Sequence, residues 1–246
     1  MIPRLTKSDL ECPRTARELY AWVQEIRDKF GETDEGKSAM LLRTEPYLKK
    51  FAEEIWPLAN YAHRFFGQRS DVYFKPVIGN QSYDALLVDA SGLTLCHFEI
   101  TQALYDANEG YQDRLRREHR VQHRYASLFG PPLKRDPNSG GVIKSEIEFS
   151  DKNKDVQSTL CQIRIAIEEK ASGTYPADTV LIVEFEGVHL QEEEYREALD
   201  AEARSVFCGL ASGFSELALI DKSDTFGFRY PIPGKPDASQ RDVVRS

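Results

Sequence analysis

The sequence predicts an α/β fold, a mixed β-sheet flanked by helices, and two observations lead to this prediction. The first is the order of predicted elements: helices, three short strands, a long helix, a strand, a helix and two closing strands. The second is the segment Ala177–Glu186, whose continuously apolar centre is typical of a strand buried on both faces. Helical crossovers join parallel strands and short turns join antiparallel ones, so this order gives a mixed sheet with helices on its faces.

The composition is that of a folded globular protein. The chain has 246 residues, of which 41% are hydrophobic and 29% charged. No apolar run approaches the roughly 18 residues that span a bilayer, and the first residues have no secretory pattern. The four cysteines lie far apart without the CxxC spacing of zinc sites, so free thiols are expected. These features predict a soluble, cytoplasmic protein.

Helical periodicity dominates the first quarter of the chain. Apolar spacing predicts a helix over Pro13–Phe30, a polar loop over Gly31–Ser38 and a second helical region over Thr44–Gly67. Pro57 should kink or split that second region, because proline has no amide hydrogen to donate. We expect residues 1–44 to form a helical extension, residues 45–230 the α/β domain and residues 231–246 a flexible tail.

Strand composition begins at residue 72. Strands are predicted over Val72–Ile78, Tyr83–Asp89 and Leu93–Ile100, and the last two form a hairpin around Asp89–Gly92. The remaining predictions are an Arg-rich helix over Ala103–Phe129, an edge strand over Val142–Phe149, helices over Asp155–Ala171 and Gln191–Phe207, and a hairpin of Glu216–Ile220 and Thr225–Tyr230.

Two carboxylates occupy matching ends of the predicted hairpin. Asp84 lies near the start of the second strand and Glu99 near the end of the third, so the two should lie side by side. Together with the backbone carbonyl of Ile100 they can hold a hard divalent cation such as Mg²⁺. Such an ion polarises a phosphodiester and lowers the pKa of an attacking water. The alternative, an acid that bonds to turn amides and an exposed strand glutamate, stays open.

The pattern Tyr83-Asp84, a hairpin turn and then Phe98-Glu99-Ile100-Thr101-Gln102 resembles the PD-(D/E)XK nuclease superfamily, which has the restriction-endonuclease-like fold. The order of elements from about residue 45 to residue 186 is also similar to that family's core. The resemblance implies a nuclease that depends on Mg²⁺ or Mn²⁺ and acts on DNA or RNA. Asp84, Glu99 and Ile100 would bind the metal, and Glu53 or Glu54 would match the further acid that some members carry on the preceding helix.

The sequence departs from this family at one position. The lysine that usually follows two residues after the second acid is replaced by Thr101, which carries no charge. The charge would then come from Lys75, Arg114 or Arg117, or Gln102 would bind the attacking water directly. The alternative is a catalytically inactive module that keeps the fold and binds nucleic acid or a partner protein.

The basic residues are concentrated in one segment. Residues 111–135 contain seven Lys or Arg and two acids, although the chain has a net charge of −8. At helical spacing Arg117, Arg120 and Arg124 share one face, with Arg114 one turn before Arg117. Because arginine suits phosphate contacts, we predict that this helix binds nucleic acid, DNA rather than RNA. A solvated helix with local ion pairs is the alternative, and a homodimer or a protein partner also stays open.

Overall fold

The computed structural model describes residues 4–103, 115, 117–119, 121, 134–135, 143–144, 152–187, 192–209, 213–224 and 226–231. The helices are α1 Lys7–Glu11, α2 Ala16–Gly31, α3 Asp34–Leu42, α4 Pro46–Lys50, a π-helical turn Phe51–Ile55, α5 Trp56–Phe66, α6 Lys152–Ala171 and α7 Glu193–Gly209. The strands are β1 Val72–Pro76, β2 Ala85–Asp89, β3 Thr94–Gln102, β4 Lys134–Arg135, β5 Ile143–Lys144, β6 Thr179–Phe185, β7 Phe214–Asp221 and β8 Gly227–Pro231. Within these ranges, no helix combines the length and the apolar character that a bilayer crossing requires.

Six strands form one mixed sheet in the order β1-β2-β3-β6-β7-β8. The pairs β1–β2, β2–β3 and β7–β8 are antiparallel, whereas β3–β6 and β6–β7 are parallel. Helix α6 belongs to the crossover between β3 and β6, and α7 to the crossover between β6 and β7. The predicted α/β class, a mixed sheet with flanking helices, is therefore confirmed.

The sheet buries a different helical layer on each face. On the front face, α2 and α5 pack on alternate strand residues such as Phe74, Phe98 and Ile182. On the back face, α6 and α7 pack on the intervening residues, such as Leu181 and Val183. This alternation follows from the two-residue repeat of a strand, and it means that the N-terminal helices share a core with the sheet.

Helix α3 replaces part of the predicted loop. Its N-cap is Thr33, whose hydroxyl accepts a hydrogen bond from the Gly36 amide at 3.0 Å. Gly36 is its buried residue, because a side chain there would lie 2.3 Å from the Phe30 carbonyl oxygen. Its first turns thus pack through a glycine backbone, while Ala39 and Met40 near its end pack against the front-face core. Over the predicted loop, therefore, no apolar periodicity marks the helix in the sequence.

The predicted interruption at Pro57 takes the form of a π-helical turn. Pro57 has no amide hydrogen, so the carbonyl four residues earlier cannot receive its usual bond. The Trp56 amide instead donates to the Phe51 carbonyl five residues back. The widened turn carries the adjacent acids Glu53 and Glu54, and π-turns of this kind occur frequently at functional sites.

Removal of the α2 cap should destabilise the fold in a pH-dependent way. The Thr15 hydroxyl accepts from the Glu18 amide and donates to the Glu18 carboxylate at 2.9 Å, and hydrogen bonds from Thr15 hold the pKa of Glu18 below its ordinary value. Thr15→Ala is expected to lower the free energy of unfolding by about 1 kcal/mol at neutral pH. Because the pKa of Glu18 is lower in the folded state, its carboxylate stabilises the fold above the pKa of the unfolded chain, and this contribution is lost as the pH falls. The difference in unfolding free energy between Thr15→Ala and wild type should therefore shrink below about pH 4.

The measurement is urea unfolding at neutral and acidic pH. Thr33→Ala is the matched control, because the third residue of α3 is Gly36 and has no carboxylate to return the bond. Its loss of stability should stay the same at both pH values. An equal pH dependence in the two variants would contradict the capping-box explanation.

Candidate functional site

The hairpin of β2 and β3 brings Asp84 and Glu99 together, as its predicted turn requires. Ala85 pairs with Phe98 across the two antiparallel strands, so the adjacent residues, Asp84 and Glu99, are also opposite each other. The Asp84 amide donates to the Phe98 carbonyl at 2.8 Å, which continues the pairing to this point. The two carboxylates thus come from neighbouring strands of a rigid sheet.

The Asp84 carboxylate also contacts the backbone of β3 beyond its own pairing partner. The Ile100 amide donates to Asp84 Oδ2 at 2.9 Å. In a strand, the amide and the carbonyl of one residue point toward the same neighbour, so the Ile100 carbonyl faces the Asp84 side of β3. The carbonyl oxygen predicted as a third ligand therefore lies on the correct side of the strand.

Glu54 is the third acid of the site and comes from the π-helical turn. One of its oxygens, Oε1, is bonded to the Lys50 ammonium group. The other, Oε2, is buried and accepts no hydrogen bond from the described residues, and Glu54 shares a proton with Asp84 through a side-chain hydrogen bond. Burial and then the charge of Asp84 raise the pKa of Glu54 to about 7, against an ordinary value of 4.5.

The same causes act on the other two acids. Burial raises the pKa of Asp84, against the opposing effect of the bond from the Ile100 amide. Burial and then the charge of Asp84 raise the pKa of Glu99, against the opposing effect of Lys170. All three acids are therefore held where their charged forms are disfavoured.

Two lysines lie among these carboxylates. Lys50 ends α4, pairs with Glu54 and lies 3.9 Å from Asp84 Oδ1. Lys170, in the last turn of α6, places Nζ 2.5 Å from Glu99 Oε1. Although burial opposes their charged forms, the neighbouring glutamates raise the pKa of both lysines, so both are ammonium groups at neutral pH. We call these five side chains the carboxylate cluster; because the pKa of Glu54 is about 7, this acid is partly protonated at neutral pH.

Neither lysine was predicted from the sequence. Lys50 precedes Glu54 by four residues, a helical spacing that could have indicated the pair. Lys170 is 71 residues from Glu99 and reaches it only because the α6 crossover packs on the back face of the sheet. No local pattern in the sequence marks that contact.

Neither Lys75 nor Gln102, which were proposed to take over the role of the missing family lysine, lies in the carboxylate cluster. Thr101 is half-buried on the same face as Glu99, and Lys75 is exposed on β1 opposite Leu86. Within the described ranges, Lys75 makes no ion pair with the three acids. Gln102 does not join the cluster, because three residues along a strand reverse the face.

Gln102 belongs instead to a second polar group. Its amide nitrogen donates to Glu184 at 2.5 Å, and its oxygen accepts from Arg43 at 3.3 Å. Arg43 also pairs with Glu53 at 3.3 Å. Of the two adjacent acids in the π-helical turn, Glu53 therefore faces this group and Glu54 faces the carboxylate cluster.

The predicted basic face is corrected at one residue. Arg117 is only 5% exposed, and its guanidinium donates to the Leu41 carbonyl at 3.3 Å. It therefore packs against the end of α3 instead of facing solvent. Arg114, Arg120 and Arg124 lie outside the described residues, and the prediction that they contact nucleic acid stays a prediction.

The donor set suits a hard divalent cation. Among the described residues, no group of three or more acidic, histidine or cysteine side chains forms a ready-made metal site. The cluster nevertheless offers carboxylates and a backbone carbonyl, the oxygen ligands that Mg²⁺ and Mn²⁺ prefer. The buried Oε2 of Glu54 accepts no hydrogen bond from the described residues, and a cation would replace the proton that Glu54 shares with Asp84. The residues therefore fit such an ion, which would share the cluster with the two lysines.

Neutralising Glu54 should stabilise the metal-free protein. Its folded-state pKa of about 7 lies above the ordinary 4.5, so the folded state binds the extra proton between these values and stability falls as pH rises through them. At about pH 8 with EDTA, Glu54→Gln should raise the melting temperature by about 2–4 °C, and near pH 5 the gain should vanish.

Thermal unfolding at both pH values measures this effect. Glu53→Gln, which removes an acid paired with Arg43, is the adjacent control and should give no gain. A Glu54→Gln variant less stable than wild type at about pH 8 would show that the ion pair with Lys50 outweighs the burial.

Comparisons with known proteins add no relative to this geometry. Neither a protein-family model, nor a curated protein sequence, nor a solved structure matches the chain. The functional interpretation therefore rests on the residues themselves and on their chemistry.

Proposed function

We propose that this protein is a metal-dependent nuclease that hydrolyses phosphodiester bonds of nucleic acid, with DNA as the first substrate to test. The observation that carries the proposal is the convergence of Glu54, Asp84 and Glu99 with Lys170 at one end of the β2–β3 hairpin. Three chain segments distant in sequence contribute to it.

The electrostatics of the cluster favour a functional explanation over a structural one. Burial raises the pKa of each of the three acids, so none of them stabilises the fold by being charged there. Titratable groups shifted by burial and by specific charged neighbours are concentrated at active sites. A network selected for stability would not place two buried acids, Glu54 and Asp84, so close together that they share a proton.

The acids are suited to hold the ion. Asp84, Glu99 and Glu54, with the Ile100 carbonyl, would bind Mg²⁺ or Mn²⁺. When bound, such an ion supplies polarisation of the scissile phosphodiester and lowers the pKa of water. The Ile100 amide fixes the orientation of the Asp84 carboxylate through its 2.9 Å bond, so this ligand needs no rearrangement.

Lys170 is suited to the role of the lysine that Thr101 replaces. Its ammonium group donates a hydrogen bond to Glu99, which holds it beside the acids of the carboxylate cluster. There it would orient the attacking water and stabilise the negative charge that develops on the phosphate. The water oxygen forms the new P–O bond, and the bond from phosphorus to the leaving oxygen breaks.

The rival hypothesis, a catalytically inactive module, depends on the uncharged Thr101. Two half-buried ammonium groups beside the acids weaken this hypothesis, because the charge missing from β3 is present on α4 and α6. An enzyme is therefore the function that the geometry supports better.

Variants of the cluster test the proposal by cleavage of labelled single- and double-stranded DNA and RNA with Mg²⁺ or Mn²⁺. Asp84→Asn and Glu99→Gln are expected to lose cleavage by about 100-fold or more, because each removes a metal ligand. Lys170→Met is expected to lose a comparable factor while it still binds Mn²⁺, because it removes charge stabilisation and no ligand. Lys75→Met, an exposed lysine on the same sheet, is the control and should cleave like wild type.

Two results would contradict the proposal. The first is wild-type protein that cleaves none of the four substrates and binds no Mn²⁺, which would favour the inactive module. The second is metal-dependent cleavage that survives in both Asp84→Asn and Glu99→Gln, which would place the active site elsewhere.

A further inference from the structure

A concave site lies in the helical layer. A cavity of about 740 Å³ opens between α2, α3 and the start of α5, lined in part by Arg27, Phe30, Asp34, Lys37, Met40 and Trp56. Its volume is within the range of small-molecule sites, roughly 300–1,000 Å³. None of the residues that line it belongs to the carboxylate cluster, so the proposed nuclease chemistry does not use it.

Trp56 contributes a donor without an acceptor. Its indole nitrogen is buried and has no hydrogen-bond partner among the described residues. An indole N–H that is removed from water usually finds an acceptor, since leaving it unpaired is unfavourable. The nitrogen has almost no accessible surface, so an acceptor on a bound molecule would reach it only after the neighbouring side chains move.

Arg27 contributes a positive charge with unused donors. Its guanidinium lies 3.7 Å from the centre of the Trp56 ring, and Nη1 donates to the Gln24 side chain at 3.0 Å. Within the described part of the chain, no carboxylate forms an ion pair with it. Burial lowers the pKa of Arg27, although a guanidinium stays charged. A half-buried cation beside a cavity favours an anionic ligand.

A similar pair elsewhere in the chain shows what a purely structural stack looks like. Arg14 lies 4.0 Å from the centre of the Trp22 ring, but its two terminal nitrogens donate to the carbonyls of Cys12 and Asp9, each at 3.0 Å. Stacking on tryptophan is therefore common to both arginines. The open cavity, the unpaired indole and the donors not used by the protein distinguish Arg27.

We propose that this cavity binds a small aromatic anion of the nucleotide class. The phosphate would bind the donors of Arg27 that no protein group uses and would compete with Asp34 for Lys37, which pairs with Asp34 at 3.5 Å. The planar base would pack on Phe30 and Met40. Once Arg27 turns from the Trp56 ring toward the phosphate, the Trp56 N–H would donate to an acceptor of the ligand. The site goes beyond the proposed nuclease activity, and the same chemistry is offered by a free mononucleotide or by the end of a strand.

Calorimetric titration in EDTA tests this site without the metal. The probes are AMP, GMP, CMP and UMP, with inorganic phosphate as the comparison. At least one mononucleotide should bind saturably and at least about tenfold more tightly than phosphate, because the base contributes apolar burial. Arg27→Met and Trp56→Phe should each weaken that binding about tenfold, a change typical of a lost hydrogen bond to a charged or buried group.

Matched variants separate this site from the rest of the molecule. Arg14→Met and Trp22→Phe remove the structural stack, and Asp84→Asn removes an acid of the carboxylate cluster; all three should leave mononucleotide binding unchanged. Melting temperatures near that of wild type establish that Arg27→Met and Trp56→Phe are folded. If a 5′-phosphorylated oligonucleotide competes with the mononucleotide, the natural ligand is the end of a strand. If it does not compete, the natural ligand is a free nucleotide.

Three outcomes would overturn the proposal: no saturable binding of any mononucleotide, binding that is equal in Arg27→Met and wild type, or binding that Asp84→Asn abolishes. Because the titration contains no metal and measures no cleavage, its result is independent of the nuclease test. A protein that cleaves DNA and binds no mononucleotide here would retain the first proposal and lose the second.

Discussion

The burial of three carboxylates at the end of one hairpin is the constraint on which the rest of the site depends. Glu54, Asp84 and Glu99 are each held where burial raises the pKa of the acid. Such a group is unfavourable unless opposite charge lies nearby, and Lys50 and Lys170 supply it from two different helices. The cluster therefore requires the π-helical turn, the hairpin and the α6 crossover to meet at one place.

The fold meets that requirement through rigid elements. Pairing of β2 with β3 sets Asp84 opposite Glu99, and the front-face core of α2 and α5 holds the π-helical turn against the sheet. The back-face core packs α6 so that its last turn reaches Glu99. Sites built on helices and strands keep their geometry better than sites on loops, which favours a site prepared for binding.

The sequence predicted those parts of the structure that depend on local patterns. The mixed sheet, the hairpin and the split at Pro57 all follow from composition, periodicity and the missing proline amide. The position of Gln102 was not predicted, although the two-residue repeat of β3 is enough to place its side chain on the other face of the sheet from Glu99. Arg117 shows the limit of helical spacing, since its buried contact with Leu41 depends on which face another helix covers. The contact of Lys170 depends on tertiary packing alone, and the first turns of α3 pack through Gly36, which carries no apolar signal.

The central claim is that the carboxylate cluster is a metal site and not a closed network of ion pairs. Electron paramagnetic resonance of free Mn²⁺ during titration with wild-type protein and Glu54→Gln tests it most directly, because it reports binding without a substrate. The claim predicts loss of the free Mn²⁺ signal at stoichiometric protein, competition by Mg²⁺ and weaker binding in Glu54→Gln. An unchanged signal in the wild type, or equal binding in the two proteins, would contradict it.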